Sequence, residues 1–123
     1  MNLLKIFSLG KKEIEVTPTP IAISVKRGKS SRRIIVTTEM TFGDLDLAIR
    51  KAFGYDMWDH CAAFFDGPAW RGKCLAEAYP DNRGPNQLNK ALPALKRAKS
   101  QQLTYLYDYG ANRELTVVIR GEV

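Results

Sequence analysis

The sequence predicts an α+β fold: a mostly antiparallel sheet of about five strands with one main helix packed on one face. Three observations carry this. Residues 21–25 and 103–119 alternate apolar and polar side chains with a period of two. Residues 41–54 place apolar side chains at helical spacing. The chain has 123 residues, room for one such domain and little else. Residues 1–19 are expected to form an N-terminal extension or edge segment, and residues 20–123 the single folded domain.

The elements follow in order. IEV at 14–16 suggests a first short strand, and Pro18 and Pro20 then impose an extended connector. Ile21, Ile23 and Val25 alternate with Ala22, Ser24 and Lys26, which gives a strand with one apolar face. RGKSS at 27–31 has turn composition, and RRIIVTT after it sets Ile34 and Val36 against Arg33, Ile35 and Thr37. The two strands read as a hairpin.

TFGDLDLAIRKAFG, residues 41–54, reads as the main helix. Thr41 is positioned as N-cap, and Asp44 places a carboxylate at the positive end of the helix dipole. Leu45, Ala48, Ile49, Ala52 and Phe53 form one apolar stripe, and Gly54 sits where a helix-ending glycine belongs. Asp46 and Arg50 are expected to pair at i,i+4 on the solvent side. Residues 57–66, MWDHCAAFFD, read as a buried strand bounded by Gly67-Pro68. From Ala69 to Pro85 a long loop is expected, with one short element near Leu75 and turns at 80–85. Leu88, Ala91, Leu92 and Leu95 have helical spacing, and Pro93 fits the first turn of a short second helix. A C-terminal hairpin closes the chain, with Leu103, Tyr105, Tyr107 and Tyr109 on one arm and Leu115, Val117 and Ile119 on the other.

The charge balance narrows the partners. Nineteen Lys and Arg against thirteen Asp and Glu give a formal net charge of +6, with a sequence pI near 9.5. Such a chain suits acidic partners, nucleic acid or an acidic protein. No apolar run approaches the ~20 residues that span a bilayer. The N-terminus lacks the pattern of a secretory signal, so a cytoplasmic location is expected, with Cys61 and Cys74 reduced.

Few residues point to chemistry. Two thiols and a single histidine, His60, cannot supply a four-ligand structural zinc site, and no metal or other cofactor is expected. No phosphate-cradling GxxxxGK[ST] or GxGxxG loop is present. His60 and Cys61 are adjacent, and in strand or helix such neighbours diverge too far for a nucleophile–base pair. The prominent polar feature is KRGKSSRR at 26–33, where Lys26, Arg27, Lys29, Arg32 and Arg33 crowd a hairpin tip. Such a tip can lie along phosphates, or it can serve only as a solvated turn. Lys90, Lys96, Arg97 and Lys99 form a secondary basic cluster, and Trp58, Trp70 and Tyr79 are candidate stacking residues.

Several of these segments, in this order, resemble the plasmid pRiA4b ORF-3-like family. The resemblance covers residues 20 to 121. It rests on RRIIV at 32–36, T-x-x-D-L-x-x-x-I-x-x-A-F-G at 41–54, the His60 and Phe64 pair, and YDYG at 107–110. It implies a small α+β domain associated with plasmids and other mobile elements, of largely uncharacterised role. Where the family usually carries a helix histidine, this chain has Asp46, and Tyr55 replaces a tryptophan. Ala111, Arg113 and Leu115 stand where aspartate, tryptophan and histidine are common, while His60 and Asp108 remain as polar residues of the family motif.

Three functions are then open. The first is a non-enzymatic accessory protein binding nucleic acid electrostatically through residues 26–33. The second is an interaction module docking an acidic protein through the sheet face or the 67–87 loop. The third is an enzyme working through His60 and Asp108 if they share a pocket. No residue is assigned a catalytic role from the sequence.

Overall fold

The computed structural model describes residues 20–79 and 86–123 in full, together with the backbone of two strands among the first nineteen residues. Those strands, β1 (Lys5–Leu9) and β2 (Lys12–Val16), pair antiparallel in a two-stranded sheet. The turns expected at 80–85 lie outside the described residues.

The main sheet has six strands, all antiparallel to their neighbours. They are β3 (Ile21–Arg27), β4 (Ser30–Val36), β5 (Ala62–Asp66), β6 (Lys73–Ala78), β7 (Gln102–Tyr107) and β8 (Arg113–Glu122), in the order β4-β3-β8-β7-β5-β6. Two helices, α1 (Phe42–Phe53) and α2 (Ala91–Arg97), pack into the core on one face. The α+β class holds, with one more strand than expected. That strand is β6, inside the segment read as mostly loop. Ala76 and Ala78 are its buried positions, and alanine carries little strand signal.

Strand alternation builds the core as expected. Ile21, Ile23, Val25, Val36, Leu103, Tyr105, Leu115 and Val117 point to the helices. Phe64 lies between Phe42 of α1 and Tyr105 of β7, 5.0 Å from each ring. The opposite face of the sheet carries a small second apolar cluster, Ala63, Phe65 and Leu106, with Ala69 and Tyr109 packed against it. Leu106, expected on the polar side of its strand, is buried there.

α1 begins with a full capping box. Thr41 Oγ1 accepts from the Asp44 amide at 3.1 Å, and Asp44 Oδ2 accepts from the Thr41 amide at 3.0 Å. It ends on Gly54, whose φ of 71° is the left-handed cap that only glycine adopts freely. Its buried arc is rotated from the expected one. Phe42, Leu45, Asp46, Ile49 and Arg50 are buried, whereas Ala48 and Ala52 are half-buried. The Asp46–Arg50 pair, expected in solvent, is therefore in the core, with Asp46 only 4% exposed and Arg50 0%.

The segment expected as a strand over 57–66 is strand only from Ala62. Residues 57–60 form bends, ending on His60 with φ 67°. Local hydrogen bonding wins over strand pairing here. Asp56 Oδ1 accepts from the amides of Trp58 at 2.7 Å and Asp59 at 2.8 Å, an aspartate-templated turn.

Candidate functional site

The basic hairpin forms around a two-residue turn, Gly28–Lys29, with Arg27 opposite Ser30 and Gly28 at φ 55°. Lys26, Arg27, Lys29, Arg32 and Arg33 are all exposed. Strand alternation divides them. Lys26 lies opposite Ser31, and Arg33 opposite Ser24, so both project from the face away from the helices. Arg32 projects to the helix side. Its Nε donates to the Ala52 carbonyl at 3.2 Å, and its guanidinium lies 5.1 Å from the Phe53 ring centre. A cation there complements the negative end of α1. Among the described residues, Lys26, Arg27, Lys29 and Arg33 form no ion pair. Arg120 of β8, which sequence reasoning missed, joins this face by donating from Nε to Ser24 Oγ at 2.9 Å. Only the pairing of β8 with β3 could reveal it.

The secondary basic residues are spread along α2, with Lys90 and Arg97 lining one cleft together with Lys73. Lys90 precedes α2 and sits 3.2 Å from Glu39 Oε2, while Lys96, Arg97 and Lys99 lie exposed at the other end of that helix. By strand register this end of the sheet, where β7 starts, is opposite to the Gly28 turn.

The 108–112 connection and the 54–61 segment share the end of the Gly28 turn, because Ala62 pairs with Tyr107 and Tyr107 with Arg113. There Tyr55, Asp56, His60, Tyr107, Asp108 and Arg113 line a cleft of about 220 Å³. His60 Nδ1 lies 3.4 Å from Asp108 Oδ2, with the imidazole 43% exposed. Both residues have left-handed backbones, φ 67° and 57°, uncommon outside glycine but more accessible to His and Asp. Asp108 Oδ1 accepts from the Ala111 amide, and the Asp108 amide donates to the Cys61 carbonyl at 2.9 Å. Arg113 lies 5.7 Å from the Tyr55 ring centre, and Tyr55 stacks on Tyr107 at 4.4 Å.

A buried network supports the cleft from behind. Arg50 donates from Nε to Asp46 Oδ1 at 3.0 Å, from Nη1 to the Asp56 and Asp59 carbonyls, and from Nη2 to the His60 carbonyl at 2.7 Å. Its guanidinium also sits 5.0 Å from the Tyr107 ring centre. One buried side chain thus ties α1 to the loop that presents His60. Burial pushes the Asp46 carboxyl up, and the Tyr105 hydroxyl and Arg50 pull it part of the way back. The Tyr105 phenol is pushed well up by burial and by the Asp46 carboxylate.

Chemically, the cleft offers an imidazole beside a carboxylate, with a guanidinium lining the same space. Among the described residues no three His, Cys, Asp or Glu side chains are grouped to hold a metal ion. Among the described residues no helix is long and apolar enough to cross a membrane. Of the positions singled out by the family resemblance, Tyr55, His60, Asp108 and Arg113 converge on this cleft. Asp46 lies behind it, and Leu115 is core.

A protein of unknown function from Methanosarcina mazei Go1, solved by crystallography, has a similar fold, with a TM-score of 0.50 and 20% sequence identity. The likeness covers 86% of this chain and 61% of that one, so it shows architecture alone. Comparison with curated proteins finds no match. Residues 19–123 match the family described as plasmid pRiA4b ORF-3-like protein, and the chain belongs to that family.

Proposed function

We propose that the protein binds nucleic acid electrostatically through the β3–β4 hairpin, as a non-enzymatic accessory factor of a plasmid or other mobile element. The observation that carries this is the set of exposed cations on one hairpin, Lys26, Arg27, Lys29 and Arg33, with no ion pair among the described residues. Arg32 adds a fifth exposed charge, although it is also tied to α1.

A gel-shift titration tests it. Four phosphate contacts imply roughly a hundredfold loss of affinity as salt rises from about 50 to 200 mM. Lys29→Ala and Arg33→Ala should each reduce the salt slope by about one. No shift at low salt, or no change in the combined Lys26, Lys29 and Arg33 alanine variant, would end the reading. A stoichiometric protein complex that survives nuclease would move it to the docking of an acidic protein.

One observation favours a second reading, an enzyme acting through His60 and Asp108: both side chains line the same cleft beside Arg113. This reading expects cleavage of a bound oligonucleotide that His60→Gln abolishes while salt-dependent binding persists. An oligonucleotide left intact by the purified protein would discard it.

A further inference from the structure

We infer that the nucleic acid is single-stranded and crosses the sheet face opposite the helices, with one base stacked on Trp70. This rests on the electrostatic reading above and adds a substrate class and a path. The path is visible in the strand register. Residues directly opposed across a sheet share a face. One row runs from Phe65 through Thr104 and Thr116 to Lys26 and Ser31. The next runs from Gln102 through Val118 and Ser24 to Arg33. Their neighbours along the strands, Leu103, Leu115, Val117 and Val25, are buried under the helices, so both rows face away from the core.

The two ends of this face differ in chemistry. At the β4–β3–β8 end, Lys26 and Arg33 project outward, and Arg120 is drawn beside them by its bond to Ser24 Oγ. At the β5 end, the 67–72 connection folds Trp70 over the second apolar cluster. The indole meets Phe65 edge-on at 5.1 Å and Tyr109 edge-on at 4.9 Å, and Trp70 remains 56% exposed. Two rings therefore hold a large aromatic surface in place, on a residue with φ 65°. β5 and β3 are three strand spacings apart, roughly 14 Å. Between the cations and the indole lie Thr116 and Thr104, the latter donating to the Gly67 carbonyl at 2.8 Å.

Exposed cations leading across a face to an exposed aromatic supply the two elements that sequence-tolerant binding of single strands uses, although Glu114 shares this face beside Thr116. Phosphates meet the guanidinium and ammonium groups, and an unpaired base has a free face for the indole. A duplex hides its base faces, and an acidic peptide has no use for the stacking surface. Neither partner explains both ends of the face.

The experiment uses Trp58→Phe protein, in which Trp70 is the sole tryptophan; Trp58 is 76% exposed, so its replacement leaves the core intact. Tryptophan emission and the anisotropy of labelled oligonucleotides are recorded together, with oligo(dT), oligo(U) and a hairpin duplex of equal length. Trp70 emission should be quenched at saturation by oligo(dT), oligo(U) or both, and the duplex should bind more weakly at the same salt. Trp70→Ala should weaken single-strand binding roughly five- to 150-fold with the salt slope unchanged, and Trp70→Phe should retain most of the affinity. Salt-dependent binding without quenching, equal or tighter binding of the duplex, or unchanged affinity in folded Trp70→Ala protein would overturn the inference and leave the electrostatic reading standing. No anisotropy change with any probe at low salt would overturn both.

Discussion

The Tyr105 hydroxyl donates a 2.6 Å hydrogen bond to Asp46 Oδ1, the same oxygen that accepts from Nε of Arg50. All three side chains are buried. A β-strand in the centre of the sheet is thereby joined to the helix above it through a carboxylate, and through Arg50 to the loop carrying His60. A buried ion pair contributes little net stability unless its remaining polar atoms are satisfied. Here Tyr105 and three backbone carbonyls satisfy them.

Removing the carboxylate should therefore cost more than removing the hydroxyl. Asp46→Ala leaves Arg50 buried with an uncompensated charge, an expected loss of about 3–5 kcal/mol. Tyr105→Phe removes one partner and should cost about 1–3 kcal/mol. Urea denaturation of both variants checks the order, and an Asp46→Ala protein as stable as the wild type would contradict it.

Arg50→Lys should fail as a conservative change. An ammonium keeps the charge but lacks the planar fork that spans Asp46 and the carbonyls of Asp56, Asp59 and His60. Amide hydrogen exchange in residues 56–61 should speed up by more than in β7 or β8. Uniform acceleration over the whole domain would instead indicate a purely global loss of stability.

Alkaline pH should unfold the protein through its tyrosines. Burial raises the phenols of Tyr105 and Tyr109, and Glu77 beside Tyr109 raises that one further. A folded-state value above the unfolded one, near 10, means the native state holds its proton longer. Stability from these groups is complete below about pH 10 and falls as pH rises beyond it. The tyrosinate absorbance of Tyr105 and Tyr109 should thus appear together with loss of circular dichroism. A full five-tyrosine titration near pH 10 in folded protein would refute this.

Gly54→Ala should destabilise by about 1–2 kcal/mol, the cost of a left-handed backbone for an ordinary residue. Nothing stands within 4 Å of the added methyl, so the cost is conformational rather than steric. Gly54→Asn should lose less, because asparagine tolerates this region. Thermal melts of the two variants, showing alanine no worse than asparagine, would exclude the backbone explanation.

Much of the fold was legible because local patterns and tertiary needs agree. The β3–β4 and β7–β8 hairpins follow from alternation around turn residues, and α1 follows from Thr41, Asp44 and Gly54. The misreadings share a cause. Asp46 and Arg50 look like a solvent pair, since nothing local reveals that Tyr105, 59 residues away, supplies a partner. The stretch before Ala62 looks like strand, but Arg50 and Asp56 draw its carbonyls and amides into a loop. β6 is built on alanines, whose burial depends on β5 beside them.

The sequence by itself determined the class of fold, the main helix with both caps, and the concentration of positive charge at 26–33. These depend on spacing and composition within a few residues. The tertiary structure decided which of those charges face outward together, that Arg120 joins them, that Trp70 shares their face, and that His60 meets Asp108. Each of these relations spans dozens of residues and exists only once strand register is set, because register alone determines which side chains of distant segments stand side by side.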